Sequence, residues 1–246
     1  ETQDMLRDTL ARFLADTYDF ETRKKMIASG EGRDPGIWRA LATELGILSA
    51  PFSEEQGGLG GGALENMIMM EELGKVIAIE PYLQTVVIGG GALKAAGGAL
   101  ADAVIPEIIS GNVIIGFAYA EPQGRYDLAN LTTTAKKDGN HYVINGAKTY
   151  ITNGQNADLI LVCCKTDPDA QPAYKGVSIV LVEADRDGFK RGRNLDKIGL
   201  DAADTSELFF EDVRVPITNC LGEEGMGFIY LMTELPQERS EEHTSE

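Results

Sequence analysis

The run Leu131-Thr132-Thr133-Thr134-Ala135-Lys136-Lys137, Asp138-Gly139, His141-Tyr142-Val143-Ile144, Asn145-Gly146, Lys148-Thr149-Tyr150-Ile151 decides how this chain folds. Short alternating segments are separated by two Asx-Gly pairs, the residues that tolerate the positive φ of a tight hairpin turn. Outward from this run the strand character continues. Residues 112–120 form a compact apolar stretch rich in Val, Ile and aromatics, and 158–165, 176–183, 208–210 and 213–215 repeat the pattern downstream. The spacing predicts an antiparallel β-domain, a sandwich or barrel, over residues 111–222.

Upstream the period changes to that of helices. Leu6, Leu10, Phe13 and Leu14 recur at helical spacing in a charged segment. Asp34 as N-cap and Pro35 at the first helical position open a helix that carries Trp38, Leu41, Ala42 and Leu45 and stops at Gly46. Further helices are predicted from Ala63 to Leu73, from Pro81 to Ala96 and from Ala99 to Ile109. In the fourth, Gly89, Gly90 and Gly91 weaken the helix but permit close helix contact. A last helix starts near Glu223 and runs into Gln237. The order is all-helical (1–110), then β (111–222), then the start of a second helical domain (223–239), which is α+β segregation without βαβ alternation.

Composition narrows the function. With 22 Lys+Arg against 39 Asp+Glu, the formal net charge is −17. Such a surface argues against binding a nucleic-acid backbone or an anionic membrane, because both need clustered cations. The 43% hydrophobic content is enough for a packed core. No apolar run approaches the roughly 20 residues of a membrane span. Two histidines and three cysteines without a CxxC give neither a metal site nor a disulfide framework, and a cytoplasmic compartment fits best. Cys163 and Cys164 are adjacent on one strand, so their side chains face opposite ways and pack as small hydrophobes. The glycine-rich 57–63 stretch lacks the preceding strand that a dinucleotide fingerprint needs.

The stretch Phe117-Ala118-Tyr119-Ala120-Glu121-Pro122-Gln123-Gly124-Arg125-Tyr126-Asp127 leaves a strand for an irregular loop, and Lys148-Thr149-Tyr150-Ile151-Thr152-Asn153 ends a neighbouring one. A strand end beside a loop offers backbone N–H groups, and an aromatic with a Thr hydroxyl can stack on and hydrogen-bond a flat ring.

Together with Lys197-Ile198-Gly199-Leu200, Asp204-Thr205, Phe210-Glu211-Asp212-Val213-Arg214-Val215-Pro216, Leu221-Gly222 and Gly225-Met226-Gly227-Phe228, these motifs resemble the acyl-CoA dehydrogenase flavoproteins in order and spacing across residues 2–239. The resemblance implies that the β-domain cradles FAD. The backbone of Phe117, Ala118 and Tyr119 would meet the flavin edge, with Ala120 nearby. Tyr126 would lie near the FAD pyrophosphate and the acyl-CoA, while Tyr150, Ile151 and Thr152 would pack on and hydrogen-bond the ring. Two departures stand out: Ala120 replaces the usual Thr, and Arg125-Tyr126 replaces the usual Gly-Ser pair. That variant is similar to pimeloyl-CoA dehydrogenase small-subunit relatives, which pair with a second chain.

The implied reaction is α,β-dehydrogenation of an acyl-CoA thioester, with electrons passed to electron-transfer flavoprotein. A Glu carboxylate removes the α-proton as the β-hydrogen leaves as hydride. Met232-Thr233-Glu234-Leu235-Pro236-Gln237-Glu238-Arg239 resembles the long-chain pattern and puts Glu238 at the base position. In most relatives that Glu lies in a C-terminal helical bundle missing here, so both placements stand. Glu121 is read as fixing the loop. Residues 240–246 look like a translated sequencing adapter, so the chain reads as a fragment of an oligomeric enzyme. A non-catalytic partner subunit of a hetero-oligomer and an acyl-CoA oxidase of the same fold are the rival readings.

Overall fold

The computed structural model describes residues 2–125 and 127–239, with side chains in the last helix through Thr233. Helices come first: α1 (Thr2–Thr17), α2 (Phe20–Ser29), α3 (Pro35–Thr43), α4 (Ala63–Lys75), α5 (Gly90–Ala96) and α6 (Gly98–Ile109). α1 buries Leu10 and Leu14 from the predicted stripe. At α3, Asp34 Oδ1 accepts from Gly36 N at 2.8 Å and Ile37 N at 3.0 Å, satisfying two N–H groups that the helix itself leaves open. α2 carries a single buried residue, Met26, so it shows no apolar stripe in the sequence; only its cap, Asp19 bonded to Thr22 N, announces it.

The helix expected from Pro81 to Ala96 divides into a π-helical segment, Leu83–Gly89, and α5. Its glycines are packing positions. A Cβ on Gly89 would stand 2.6 Å from Ile115 Cγ2, and one on Gly90 the same distance from Phe52 Cζ.

Strands β1 (Ile115–Ala118), β2 (Thr134–Asp138), β3 (His141–Thr152), β4 (Leu159–Lys165), β5 (Val177–Glu183), β6 (Phe189–Asn194) and β7 (Thr205–Pro216) form one curled sheet in the order β1-β4-β2-β3-β7-β6, with β5 on β4. The pairing is mixed, since β1 lies parallel to β4; the hairpin β2–β3 intervenes in sequence before the chain returns. The turn expected at Asn145-Gly146 is a bulge inside β3. Asn145 spans to β7, its Nδ2 donating to Asp212 Oδ1 at 2.9 Å while its Oδ1 accepts from Asp212 N at 3.0 Å. β7 likewise joins the two segments expected at 208–210 and 213–215 into one strand. β6, sequence FKRGRN, is an edge strand of mostly exposed charges that gives no alternation to read.

Among the described residues, two hydrophobic clusters hold the fold together. One fills the inside of the curl with Ala118, Ile144, Ile151, Val162, Cys164, Val180, Phe210 and Val215. The other joins the helices to the opposite sheet face, packing Trp38, Leu41, Phe52, Tyr82 and Leu93 against Ile115, Leu161, Cys163 and Ile179. Cys163 and Cys164 thus serve opposite faces, and burial pushes the Cys163 thiol up to about 12, an unreactive state. After β7 the chain enters α7 (Gly227–Arg239), which lies against α5 and the π-helical segment and buries Leu231. Among the described residues no helix is long and apolar enough to cross a membrane.

Candidate functional site at the open edge of the first strand

β1 ends the strand order, so its outer edge meets no strand among the described residues. Ile114 turns its carbonyl to the β4 side, where it accepts from Asp158 N at 2.8 Å. Period-2 alternation therefore sends the polar groups of Ile115, Phe117 and Tyr119 the other way. At Ile115 that edge is closed by side chains: its N–H donates to Thr85 Oγ1 at 3.2 Å and its carbonyl accepts from Asn153 Nδ2 at 3.0 Å. At Tyr119 the carbonyl accepts from Lys148 Nζ at 3.2 Å. Phe117 lies between them with its backbone N–H and C=O on the open edge.

Beside this edge β3 bulges. Its register against β7 shifts between Lys148 and Ile151, and Tyr150 adopts φ +56°, a left-handed conformation costly for a large side chain. The bulge leaves Tyr150 70% exposed, with Ile151 turned into the curl and Thr152 half-buried on the outer face. Thr149 N donates to Ala120 O at 3.0 Å, stitching the bulge to the end of β1. The segment between β6 and β7 flanks it. Asp204 there accepts from Gln155 N at 3.3 Å and Asn156 Nδ2 at 2.6 Å, although burial pushes its carboxyl above the usual range. Lys197 bonds Ala203 O and Thr205, while Ile198 and Leu200 stand exposed.

Under the edge lies an ion pair. Lys148 Nζ and Glu121 Oε1 are 2.8 Å apart, with both side chains fully shielded from solvent. Glu121 also accepts from Thr132 N and Oγ1 at 2.7 Å each, from Thr133 N at 3.1 Å and from Gln123 Nε2 at 2.6 Å. Gln123, Thr132 and Thr133 are thereby gathered on one carboxylate. Burial works against its ionised form, but the Lys148 ammonium and the donor set prevail and hold the carboxyl down at about 2. Because the folded value lies below the unfolded 4.5, the stability it contributes is complete above about pH 4.5 and is lost as the pH falls toward about 2. Glu121→Gln should flatten that acid limb, on the order of 3 kcal/mol, when unfolding midpoints are followed from neutral pH downward.

Comparison with known proteins matches two adjacent family models in order: the acyl-CoA dehydrogenase N-terminal domain over residues 1–112 and the acyl-CoA dehydrogenase middle domain over residues 116–213. The chain belongs to the acyl-CoA dehydrogenase family. It is 40% identical to the mitochondrial long-chain specific acyl-CoA dehydrogenase of Sus scrofa over 82% of this chain and 47% of that protein. To the mitochondrial isovaleryl-CoA dehydrogenase of Pongo abelii it is 34% identical over 97% of this chain and 57% of that protein. Among solved structures, an acyl-CoA dehydrogenase from Geobacillus kaustophilus superposes with a TM-score of 0.87 at 41% identity, covering 97% of this chain and 63% of that one. The chain spans about half the length of the curated relatives it matches.

As an acyl-CoA dehydrogenase domain pair, the molecule brings Phe117, Ala118, Tyr119 and Ala120 together with Tyr150, Ile151 and Thr152. Their side chains differ in reach. Ala118 and Ile151 are buried in the curl, so only their backbone faces the site, whereas Tyr150 and Thr152 share the outer face and Tyr119 and Ala120 are half-buried. Tyr126 lies outside the described residues, as does the Glu238 side chain; residue 238 falls within α7. A flavin ring fits what is present: an open donor–acceptor pair at Phe117, an exposed aromatic and a hydroxyl beside it. Lys148 carries no role in the sequence reading; a lysine inside a strand segment is visible there, but its burial and its Glu121 partner are not.

Proposed function

We propose that the complete protein binds FAD at this edge and catalyses α,β-dehydrogenation of an acyl-CoA thioester to the trans-2-enoyl-CoA. The observation that carries the proposal is the Phe117 backbone, which meets no strand on its outer edge among the described residues, beside the bulged, exposed Tyr150. In this reading the Phe117 N–H and C=O hold the polar rim of the flavin, the Tyr150 ring covers it, and the Thr152 hydroxyl donates to it. FAD supplies the two-electron acceptor. Following the family resemblance, Tyr126 is assigned to the pyrophosphate and the acyl-CoA, and Glu238 to removal of the α-proton. Electron-transfer flavoprotein is the proposed acceptor of the electrons, the assembly is a homo- or hetero-oligomer, and a reducing cytoplasm suits the three free thiols.

A second reading rests on Ala120, which removes a hydroxyl from the site: a partner subunit that supports a hetero-oligomer without chemistry of its own. The test is purification of the full-length chain with FAD, followed by anaerobic titration with acyl-CoA thioesters. Retained flavin bleached by one of them supports the enzyme. A folded protein that retains no flavin sinks the proposal in favour of the partner subunit, and rapid reoxidation by oxygen would instead assign an acyl-CoA oxidase.

A further inference from the structure

We infer that Lys148 is the positioning residue of the flavin edge: its buried ammonium, held by Glu121, sets the course of the β1 backbone against the β3 bulge. The inference rests on the flavin reading above and extends it to a side chain that need not touch the ring. Lys148 sits on β3 immediately before the Thr149–Tyr150 irregularity. Its Nζ reaches across to Tyr119 O at 3.2 Å and to Glu121 Oε1 at 2.8 Å. Glu121 in turn takes both Thr132 donors and the Thr133 N–H. One cation therefore fixes three pieces of backbone at once: the end of β1, the loop that follows it and the start of the bulge.

The geometry explains why a lysine occupies an inward strand position. A buried ion pair is a poor source of stability, since burying both charges offsets much of their attraction, and an apolar pair of similar volume serves a core as well. What an apolar pair cannot do is hold a carbonyl at a chosen height on an open edge. The Tyr119 carbonyl shares that edge with the Phe117 N–H and C=O, two residues away, so a shift at Tyr119 moves the donor and acceptor offered to the ligand. A bound ring would read the clamp as affinity and as the polarity at its rim.

The decisive variant in the full-length protein is Lys148→Met combined with Glu121→Gln, which leaves no unpaired buried charge and similar bulk. Thermal unfolding should stay within a few degrees of the wild type, because the pair is replaced and not broken. FAD affinity should fall about tenfold or more, as expected for losing the order of one charge-assisted hydrogen bond, and the visible flavin band and reduction potential should shift. Should the double variant not fold, Lys148→Arg carries the test: it keeps a cation for Glu121 but takes the ammonium donor off the Tyr119 carbonyl, and FAD affinity should fall about threefold, as expected for losing part of one such contact. A folded variant with wild-type FAD affinity and an unchanged spectrum overturns the clamp while the flavin reading stands. A folded wild type that retains no FAD overturns both, so the two failures are distinguishable.

Discussion

Glu238→Gln in the full-length protein is expected to retain its flavin and to lose substrate bleaching by a factor of about 10² to 10⁴, the range for removing a positioned general base. The amide keeps the size and much of the hydrogen bonding of the carboxyl but cannot accept the α-proton. α7 follows the β-domain and lies against α5 and the π-helical segment, and Leu231 on its inner side is buried. Residue 238 falls within the same helix, α7. Stopped-flow bleaching of the flavin, variant against wild type, is the measurement. Bleaching at the wild-type rate would move the base into sequence beyond this chain, the alternative that the family resemblance leaves open.

Trp38→Ala should cost about 3–5 kcal/mol, the range for truncating a large buried aromatic. Trp38 is 2% exposed in the cluster that joins helices to sheet, and its indole Nε1 donates to Gly111 O at 3.1 Å. Gly111 turns the chain from α6 toward β1 at φ +70°, and a Cβ there would stand 2.9 Å from the Ala42 Cβ, so the turn is seated directly on α3. Removing the indole opens a cavity and orphans that carbonyl at the same point. Against a typical total of about 5–15 kcal/mol, the loss is a large fraction of stability. Trp38 is the single tryptophan, so urea unfolding is best followed by circular dichroism. Trp38→Phe separates the two parts: it keeps most of the ring and should lose only about 1 kcal/mol for the hydrogen bond. Equal midpoints for Trp38→Ala and wild type would remove this residue from the junction.

Much of the fold was legible because its signals are local. The stripe of Leu10 and Leu14, the Asp34-Pro35 cap and the change from helical to alternating period after Ser110 depend on neighbours a few residues apart. The α+β order and the family motifs follow from the same short-range patterns. Signals failed where long-range pairing overrode local preference. Asn145-Gly146 is turn chemistry on its own, yet Asp212, 67 residues away, binds Asn145 through two hydrogen bonds and keeps the strand running as a bulge. β6 has no alternation to read because both its faces are largely solvated at the sheet edge.

The candidate site divides the same way. Sequence by itself determined which segments converge, Phe117 to Ala120 and Lys148 to Thr152, since each sits at the end of a recognisable strand. Only the tertiary structure decided which atoms those segments present. Parallel pairing of β1 with β4 selects Phe117 as the residue with an open backbone edge; the register shift on β3 turns Tyr150 outward and Ile151 inward. The partnership of Lys148 with Glu121 spans 27 residues, and no local pattern encodes it. A strand's period fixes that its side chains alternate, but which face is buried, and which charge finds its counterion there, depends on what the rest of the chain packs against it.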